Sequence, residues 1–222
     1  MVQFFTLIDA ASLGDLKVYL GRAARVENGA VRLIGGFGVL AAYTATLTAK
    51  GLLDQTPTVL GLRTFALASP EPFDVVVSIR ALLDRLAQVS VQNNSASGPL
   101  EIPLPPPEQG IAWAGISPPR GGWERAGSFG SDVLEVAARA GIAEVAAAVP
   151  DNTGEQLVHK VRSEVWGRDL DVLPGLTPRV PAGAAFCAVS LGFVKGADDV
   201  AVFHTGQWLR LTLKRGHVLV RR

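Results

Sequence analysis

Near its C-terminal end the chain reads Pro181-Ala182-Gly183-Ala184-Ala185-Phe186-Cys187-Ala188-Val189-Ser190-Leu191-Gly192-Phe193-Val194, with Ser190 as its single hydroxyl. Proline at a first helical position, followed by small apolar residues, predicts a closely packed helix that is buried on every side. The stretch is shorter than the roughly 20 apolar residues that a membrane span requires. It therefore needs other elements of the same protein to cover it.

The runs that follow this stretch have the pattern of β-strands. They are Val200–Thr205, Gln207–Lys214 and His217–Arg221, and they are separated by short spacers that contain Gly206 and Gly216. Glycine-containing spacers between alternating runs indicate hairpins. We therefore expect a three-stranded β-meander that covers the small-residue helix.

The C-terminal end is also the basic part of the chain. After Asp199 no acidic residue occurs, whereas the segment from Glu124 to Asp199 is acidic. The two surfaces either neutralise each other in an internal or subunit interface, or the basic one is a patch that binds an anion or nucleic acid. The net charge of +1 creates no global field that would favour nucleic acid, which the sequence makes an unlikely partner without excluding it.

Composition places the chain among globular proteins. Of its 222 residues 48% are hydrophobic and 18% are charged, which predicts a sizeable core in one large domain or two small ones. The single cysteine, Cys187, excludes an internal disulfide, and on the predicted buried helix it is interpreted as an inert thiol. Cysteine usage and the absence of a signal-peptide pattern at the start predict a cytoplasmic protein.

The first part of the chain predicts a lobe of strands and helices. A strand over Val2–Ile8 precedes an amphipathic helix, for which Asp9 or Ser12 is the predicted cap, and several strands follow. Ser78 is then expected to cap a helix with the apolar stripe Ile79, Leu82, Leu83 and Leu86. This order resembles, in outline only, one lobe of a sliding-clamp-like domain, and no function is carried over from the resemblance.

A glycine motif within this lobe has two interpretations. Gly36-x-Gly38-x-x-Ala41 follows a strand, and Asp54 lies near the distance of a ribose-binding acid, as in a dinucleotide fingerprint. That fingerprint requires a helix directly after the glycines, because the helix N-terminus holds the pyrophosphate. Residues 39–48 instead alternate and include three threonines, so a hairpin turn is favoured over a cofactor site.

The clearest boundary lies at residues 93–112, which are rich in Asn, Ser and Pro and predict a partly flexible, partly stiff linker. A proline-rich ligand segment is the less favoured alternative. The predicted fold class is thus α+β, with an N-terminal antiparallel-sheet-plus-helices lobe over 1–92, this linker, and a C-terminal helical lobe over 113–222 that ends in the β-meander.

Two helices are predicted in the C-terminal lobe. Ser131 is expected to cap a helix that runs to Val149, and Thr153 with Gln156 is expected to cap the next helix. His159 on that second helix is expected to be exposed.

Beyond the linker, the loop Ser117-Pro118-Pro119-Arg120-Gly121-Gly122-Trp123-Glu124-Arg125 presents arginine and tryptophan together. It is either a domain-crossing strap whose Trp123 fills a gap, which we favour, or an aromatic and cationic binding loop. The candidate binding residues are therefore those of this loop and those of the meander's basic rim: Arg120, Trp123, Arg125, Arg210, Lys214, Arg215 and His217.

The sequence contains no recognisable catalytic motif, and it predicts neither a metal site nor a cofactor. The motifs Ser117–Trp123, Ala140–Val145, Val165–Arg168, Pro181–Phe193 and Gly216–Leu219 together make the chain similar to a group of uncharacterised proteins from high-GC Gram-positive bacteria. That resemblance implies a shared fold and cytoplasmic location, but no activity or site. The leading hypothesis is a soluble, non-enzymatic binding or regulatory protein, possibly homodimeric, with an anionic or protein partner. The alternative is a small-molecule enzyme of unrecognised type.

Overall fold

The computed structural model describes residues 4–27, 29–51, 53–92, 98–150 and 153–222. It divides the chain into two compact units, one formed by Met1–Ala45 with Leu62–Ile116 and the other by Thr46–Gly61 with Ser117–Arg222. Both units combine antiparallel strands with α-helices. The predicted α+β class is therefore confirmed, while the lobe boundaries at residues 92 and 113 stay a prediction.

The first part of the chain forms strands and helices in alternation. Its elements are β1 (Phe4–Leu7), α1 (Ala10–Val26), β2 (Ala30–Gly36), β3 (Val39–Leu47), β4 (Thr58–Ala66), β5 (Phe73–Ser78), α2 (Ile79–Gln92), β6 (Leu100–Pro103) and a 3-10 helix (Ala112–Gly115). Four of these strands lie in one sheet in the order β5-β2-β3-β4, in which β2 pairs antiparallel with both β5 and β3. Residues 46–47 of β3 and 58–61 of β4 belong to the second unit.

Both helices of the first unit bury most of the apolar stripe that their periodicity predicts. In α1 the buried residues include Leu13, Leu16 and Leu20. In α2 Ile79, Leu82 and Leu86 are buried, whereas Leu83 is only half-buried. Asp9 caps α1 by accepting a hydrogen bond of 2.7 Å from the backbone N–H of Ser12. Of the two predicted caps, Asp9 is thus the one used, since its carboxylate reaches the first free N–H groups of the helix.

The motif Gly36-x-Gly38 is the turn of the β2–β3 hairpin. Gly36 pairs with Val39, and the two loop residues Phe37 and Gly38 have φ angles of 53° and 76°. Positive φ at both loop positions defines a type I′ turn, which matches the twist of the strands that it joins. Because β3 follows the glycines where a dinucleotide site needs a helix, the cofactor interpretation is wrong.

Part of the stretch predicted as a linker belongs to the first unit. Residues 93–97 lie outside the described residues, but β6 pairs with β1 in antiparallel register, from Leu7↔Leu100 to Phe4↔Pro103. Farther along, the N–H of Glu108 donates to the carbonyl of Val76 at 2.7 Å. Pairing with β1 is possible because Leu100 and Ile102 alternate with more polar neighbours and are buried.

The second part of the chain contains the predicted meander. Its elements are β7 (Glu124–Gly130), α3 (Asp132–Ala148), α4 (Glu155–Gly167), β8 (Asp169–Leu170), β9 (Val180–Pro181), α5 (Ala182–Ser190), β10 (Asp199–Thr205), β11 (Trp208–Leu213) and β12 (Gly216–Arg221). The meander strands and β7 are neighbours in the order β12-β11-β10-β7, and every neighbouring pair among these four is antiparallel. The short strands β8 and β9 pair with each other in a sheet of their own.

The small-residue helix α5 is buried as predicted. Ala184, Ala185, Cys187 and Ala188 have no exposed surface, and the ring of Phe186 stacks on that of Trp166 with centroids 4.5 Å apart. Burial raises the pKa of the Cys187 thiol to about 12, which keeps it protonated at neutral pH. The prediction of an inert packing thiol agrees with this environment.

The predicted cap position is right for α3 and wrong for α4: Ser131 is the N-cap residue of α3, but it does not cap the helix through its side chain. The Ser131 side chain makes no cap hydrogen bond to α3, and α4 has Gly154 at its N-cap in place of a Thr153–Gln156 capping box. Ser131 is fully buried and bonds instead to the loop before β10. A buried hydroxyl must be satisfied, and the loop carbonyl and N–H are the groups within its reach.

Candidate anion-binding surface

One face of the second unit's sheet places predicted binding residues side by side. In the antiparallel register Phe203 of β10 lies opposite Arg210 of β11. Phe203 also lies opposite Arg125 of β7, after a register shift between Val202 and Phe203. Directly opposed residues project to the same face of a sheet. The neighbouring positions Val202 and Leu211, which are also opposed, are fully buried and form the other face.

The centre of this face is the arginine stack, which consists of Trp123, Phe203 and Arg210. The Cζ atom of Arg210 lies 4.5 Å from the ring centroid of Phe203 and 4.7 Å from that of Trp123. Both distances are within the about 6 Å of a cation–π contact. The arginine side chain is therefore held by two aromatic rings in a defined orientation.

The loop before β7 supplies Trp123 to the stack. The indole Nε1–H of Trp123 donates to the carbonyl of Pro119 at 3.0 Å, so the loop folds back on itself and fixes the ring. Gly122 has a φ of 75°, the left-handed region that favours glycine. The filling of a gap and the display of a binding loop are thus compatible, since Trp123 packs against Arg210 while Arg120 stays exposed.

Arg210 forms no ion pair with an acidic side chain among the described residues. Its Nε is buried and has no hydrogen-bond partner in the described part of the chain. Burial lowers the pKa of Arg210 from its ordinary value. The nearby acid Glu124 approaches His204 instead, at 3.8 Å.

His217 is part of the same face. Its Nδ1 lies 3.1 Å from the Oγ1 of Thr212, which is the residue opposite it in the β11–β12 register. Burial, and then the positive charge of Arg210, lower the pKa of His217 below its ordinary value. The imidazole is therefore neutral at pH 7, and a bound anion would raise its pKa by offsetting the arginine charge.

The remaining predicted residues lie farther out. Arg120 is exposed in the loop that supplies Trp123, Arg125 is exposed opposite Phe203, and Lys214 and Arg215 form the β11–β12 turn. Lys214 pairs with Asp198 at 2.5 Å, whereas Arg215 is exposed and makes no ion pair with any described residue. The structure brings Trp123, Arg125, Arg210 and His217 to one face, and it places Lys214 and Arg215 at the end of that face.

Phe203 is the member of the stack that sequence reasoning missed. A two-residue loop of Gly206 and Gln207 pairs Thr205 with Trp208, and this register then sets Phe203 opposite Arg210. The hairpin signal at Gly206 was present in the sequence. Counting the register outward from that turn is the step that would have found the pair.

A second polar cluster joins the 48–57 segment to α4. The Oδ2 of Asp54 lies 2.8 Å from Nε2 of His159, and the Oγ of Ser163 lies 3.3 Å from that same nitrogen. The expectation that His159 is exposed is wrong, because only 20% of its side chain is accessible. The periodicity of α4 could not reveal a partner that lies about 100 residues earlier in the chain.

Asp54 in this cluster is held as a carboxylate. Burial alone would raise its pKa, but hydrogen bonds from Thr56, the N–H of Lys50 and His159 outweigh that effect and hold the pKa well below its usual range. A serine triad needs the acid on one imidazole nitrogen and the hydroxyl on the other. Here both share Nε2, so the geometry favours a structural link over an activated serine.

Among the described residues, none of the helices combines the length and the hydropathy of a transmembrane segment. No group of three or more His, Cys, Asp or Glu side chains in the same ranges is placed to hold a metal ion.

Two family models match the chain. The model described as Domain of unknown function (DUF8010) covers residues 1–114, and the one described as Domain of unknown function (DUF8185) covers residues 118–222. No curated protein matches at a significant level. The predicted similarity to uncharacterised proteins is thereby confirmed.

Solved structures show what the fold resembles. The chain is similar to the DNA polymerase III subunit beta from Borrelia burgdorferi, with a TM-score of 0.57 and 9% identity over 99% of this chain and 64% of that one. It is also similar to a putative DNA polymerase III beta subunit from Eubacterium rectale, with a TM-score of 0.54 and 8% identity over 98% of this chain and 64% of that one. The chain thus spans a little under two thirds of the length of these proteins. At such low identity the similarity is one of fold, and it extends the outline resemblance of the N-terminal lobe to nearly the whole chain.

Proposed function

This chain belongs to the family described as Domain of unknown function (DUF8010), and from that premise we propose that it is a cytoplasmic, non-enzymatic binding protein with a clamp-like fold. Its partner carries phosphate or carboxylate groups, which bind at the arginine stack and the cations around it. The observation that carries the proposal is the guanidinium of Arg210, which is held between Trp123 and Phe203 without an acidic partner among the described residues.

Electrostatics explain why an anion should bind at Arg210. A partly buried charge without a counter-charge raises the free energy of the folded state, and the two aromatic rings offset only part of that cost. A phosphate or carboxylate oxygen would satisfy the guanidinium through charge-assisted hydrogen bonds. The neighbouring Arg120, Arg125 and Arg215 are exposed, so they extend the positive field outward and attract an anionic partner.

The source of the anion decides between two kinds of partner. Net charge alone predicts that nucleic acid is an unlikely partner. The fold does not support that prediction, because the proteins of similar structure are named as DNA polymerase subunits. The experiment therefore includes both a mixed-sequence oligonucleotide and an acidic peptide as probes. Preference for one of them identifies the source of the phosphate or carboxylate.

The test compares Arg210→Gln with Arg139→Gln, two variants that lose the same charge. Arg139 lies on α3 with 81% of its side chain exposed and only a long ion pair of 3.7 Å, so it serves as the matched control. We expect Arg210→Gln to weaken binding of the preferred probe at least tenfold and to reduce its salt dependence, while Arg139→Gln changes little. Fluorescence anisotropy over a salt series measures both quantities.

An NMR titration of His217 provides a second readout. Probe binding should raise the pKa of His217, and Arg210→Gln should raise it in the free protein, since each removes the effect of the same positive charge. Equal binding by the two arginine variants, or no binding of either probe at low salt, would refute the proposed function.

A further inference from the structure

Phe37 occupies a position that does not suit a phenylalanine. It lies at the tip of the β2–β3 hairpin with 96% of its surface exposed and a φ of 53°. Type I′ turns favour Asn, Asp or Gly there, because a bulky side chain is strained at positive φ. An exposed aromatic ring also gains no burial. Residues that break local rules without an internal gain are expected where the protein makes an external contact.

A groove on the helical side of the same unit is open to solvent. It has a volume of about 390 Å³, within the roughly 300–1,000 Å³ typical of ligand pockets. Apolar and small residues dominate its lining, and Val18 in it is 54% exposed. The lining residues are Ala10, Leu13, Gly14, Lys17, Val18, Ser90 and Leu100, and we call this site the α1 groove.

Hydrogen bonds place the hairpin tip and the α1 groove at the same end of the unit. The carbonyl of Gly38 accepts a hydrogen bond of 2.8 Å from the N–H of Leu67, and Leu67 forms a bridge with Leu7. Leu7 in turn pairs with Leu100, which lines the groove. Two exposed apolar side chains, Ile8 and Val39, add to the apolar surface of this region.

We propose that two copies of this chain associate by inserting Phe37 of each into the α1 groove of the other. The occupant is a second copy because every copy presents the projecting ring and the groove at the same end of the first unit. A two-fold axis that passes between them forms both contacts at once, as a closed symmetric dimer requires. The groove offers apolar walls to the ring, and Lys17 at its side can lie against the ring face.

Two variants test each half of the contact without weakening the fold. Phe37→Asn creates the Asn-Gly pair that type I′ turns prefer, so we expect the melting temperature of the dissociated chain to rise by about 2 °C while association is lost. Gly14→Leu fills the groove from α1, where a Cβ at residue 14 meets no atom within 4 Å. Leucine is a better helix former than glycine, so this variant should also fold and lose association.

The matched control is Gly21→Leu, on the same helix but outside the groove lining. A Cβ at residue 21 also meets no atom within 4 Å, so this variant should keep the wild-type oligomeric state. Sedimentation velocity over a concentration series measures the state of each protein. We expect a concentration-dependent dimer for wild type and Gly21→Leu, and monomers for Phe37→Asn and Gly14→Leu.

Mixing the two monomeric variants gives the decisive result. Phe37→Asn keeps an intact groove and Gly14→Leu keeps an intact Phe37, so one of the two contacts can form between them and a weakened heterodimer should appear. The inference is overturned if wild type is monomeric at every concentration, if either variant remains dimeric, or if the mixture stays monomeric. If the wild type is monomeric and Phe37 is needed instead to bind another protein, the inference that a second copy occupies the α1 groove is also overturned.

Discussion

Two glycines on different helices show how much a single methyl group matters in this protein. Gly141 of α3 lies against the indole of Trp166, and a Cβ there would collide with the ring atoms Cζ3 and Cη2. Trp166 has little freedom to move, because it is 2% exposed and stacks on Phe186 of α5. At Gly21 of α1, by contrast, the same methyl group would meet open space.

The same substitution should therefore have opposite effects at the two sites. We expect Gly141→Ala to lower the free energy of unfolding by about 1–3 kcal/mol, because overpacking a rigid core forces side chains out of their preferred rotamers. Gly21→Ala should raise it by up to about 1 kcal/mol through helix propensity. Urea denaturation of both variants measures the difference, and a neutral Gly141→Ala would show that the Trp166 contact is looser than described.

At the scale of an element, the start of α3 depends on an N-cap serine whose hydroxyl does not bond to the helix. The Ser131 Oγ donates to the carbonyl of Gly196 at 2.9 Å and accepts a hydrogen bond of 3.0 Å from the N–H of Asp198. The N–H of Ser131 also donates to the carbonyl of Asp198 at 2.8 Å. The hydroxyl therefore ties the loop before β10 to the junction between β7 and α3.

Two substitutions of Ser131 separate this role from capping. Ser131→Ala should lower the free energy of unfolding by about 1–3 kcal/mol, because it leaves buried backbone groups of the loop unsatisfied. Ser131→Asp preserves a good capping residue but introduces a charge at a fully buried site, so it should destabilise at least as much. Thermal unfolding of both variants tests this role of the Ser131 hydroxyl. A Ser131→Asp variant as stable as the wild type would show instead that the side chain at residue 131 acts as a helix cap.

Elements whose signal is local could be predicted from the sequence, and those that depend on distant partners could not. The helices α1, α2 and α5 follow from apolar periodicity and small-residue content. The strand β7 was missed because its Ala126-Gly127-Ser128 centre has low strand propensity, and only pairing with β10 holds it extended. In the same way, the sequence identified Trp123 and Arg210 separately, whereas their contact depends on the loop fold around Pro119.

At the scale of the whole molecule, the two units are not consecutive in the chain. Residues 46–61 belong to the second unit, although they precede the predicted linker at 93–112. They contribute to its interior: the Oγ1 of Thr46 donates to the carbonyl of Val59, the Nη2 of Arg162 reaches the carbonyl of Thr46, and Asp54 pairs with His159. The accumulation of prolines predicts a linker at residues 93–112. Composition does not indicate, however, that residues 46–61 belong to the second unit.

Cutting the chain at the linker should therefore leave the second unit incomplete. We expect a fragment of residues 113–222 to lack a cooperative unfolding transition, because Arg162 of α4 loses the carbonyl of Thr46, and His159 loses Asp54. A fragment in which residues 46–61 are joined by a flexible Gly/Ser linker to 117–222 contains the whole unit, and it should unfold cooperatively. Circular dichroism of both during thermal unfolding tests the idea. A cooperative transition in the 113–222 fragment alone would show instead that the lobe boundary predicted from composition is also a boundary of folding.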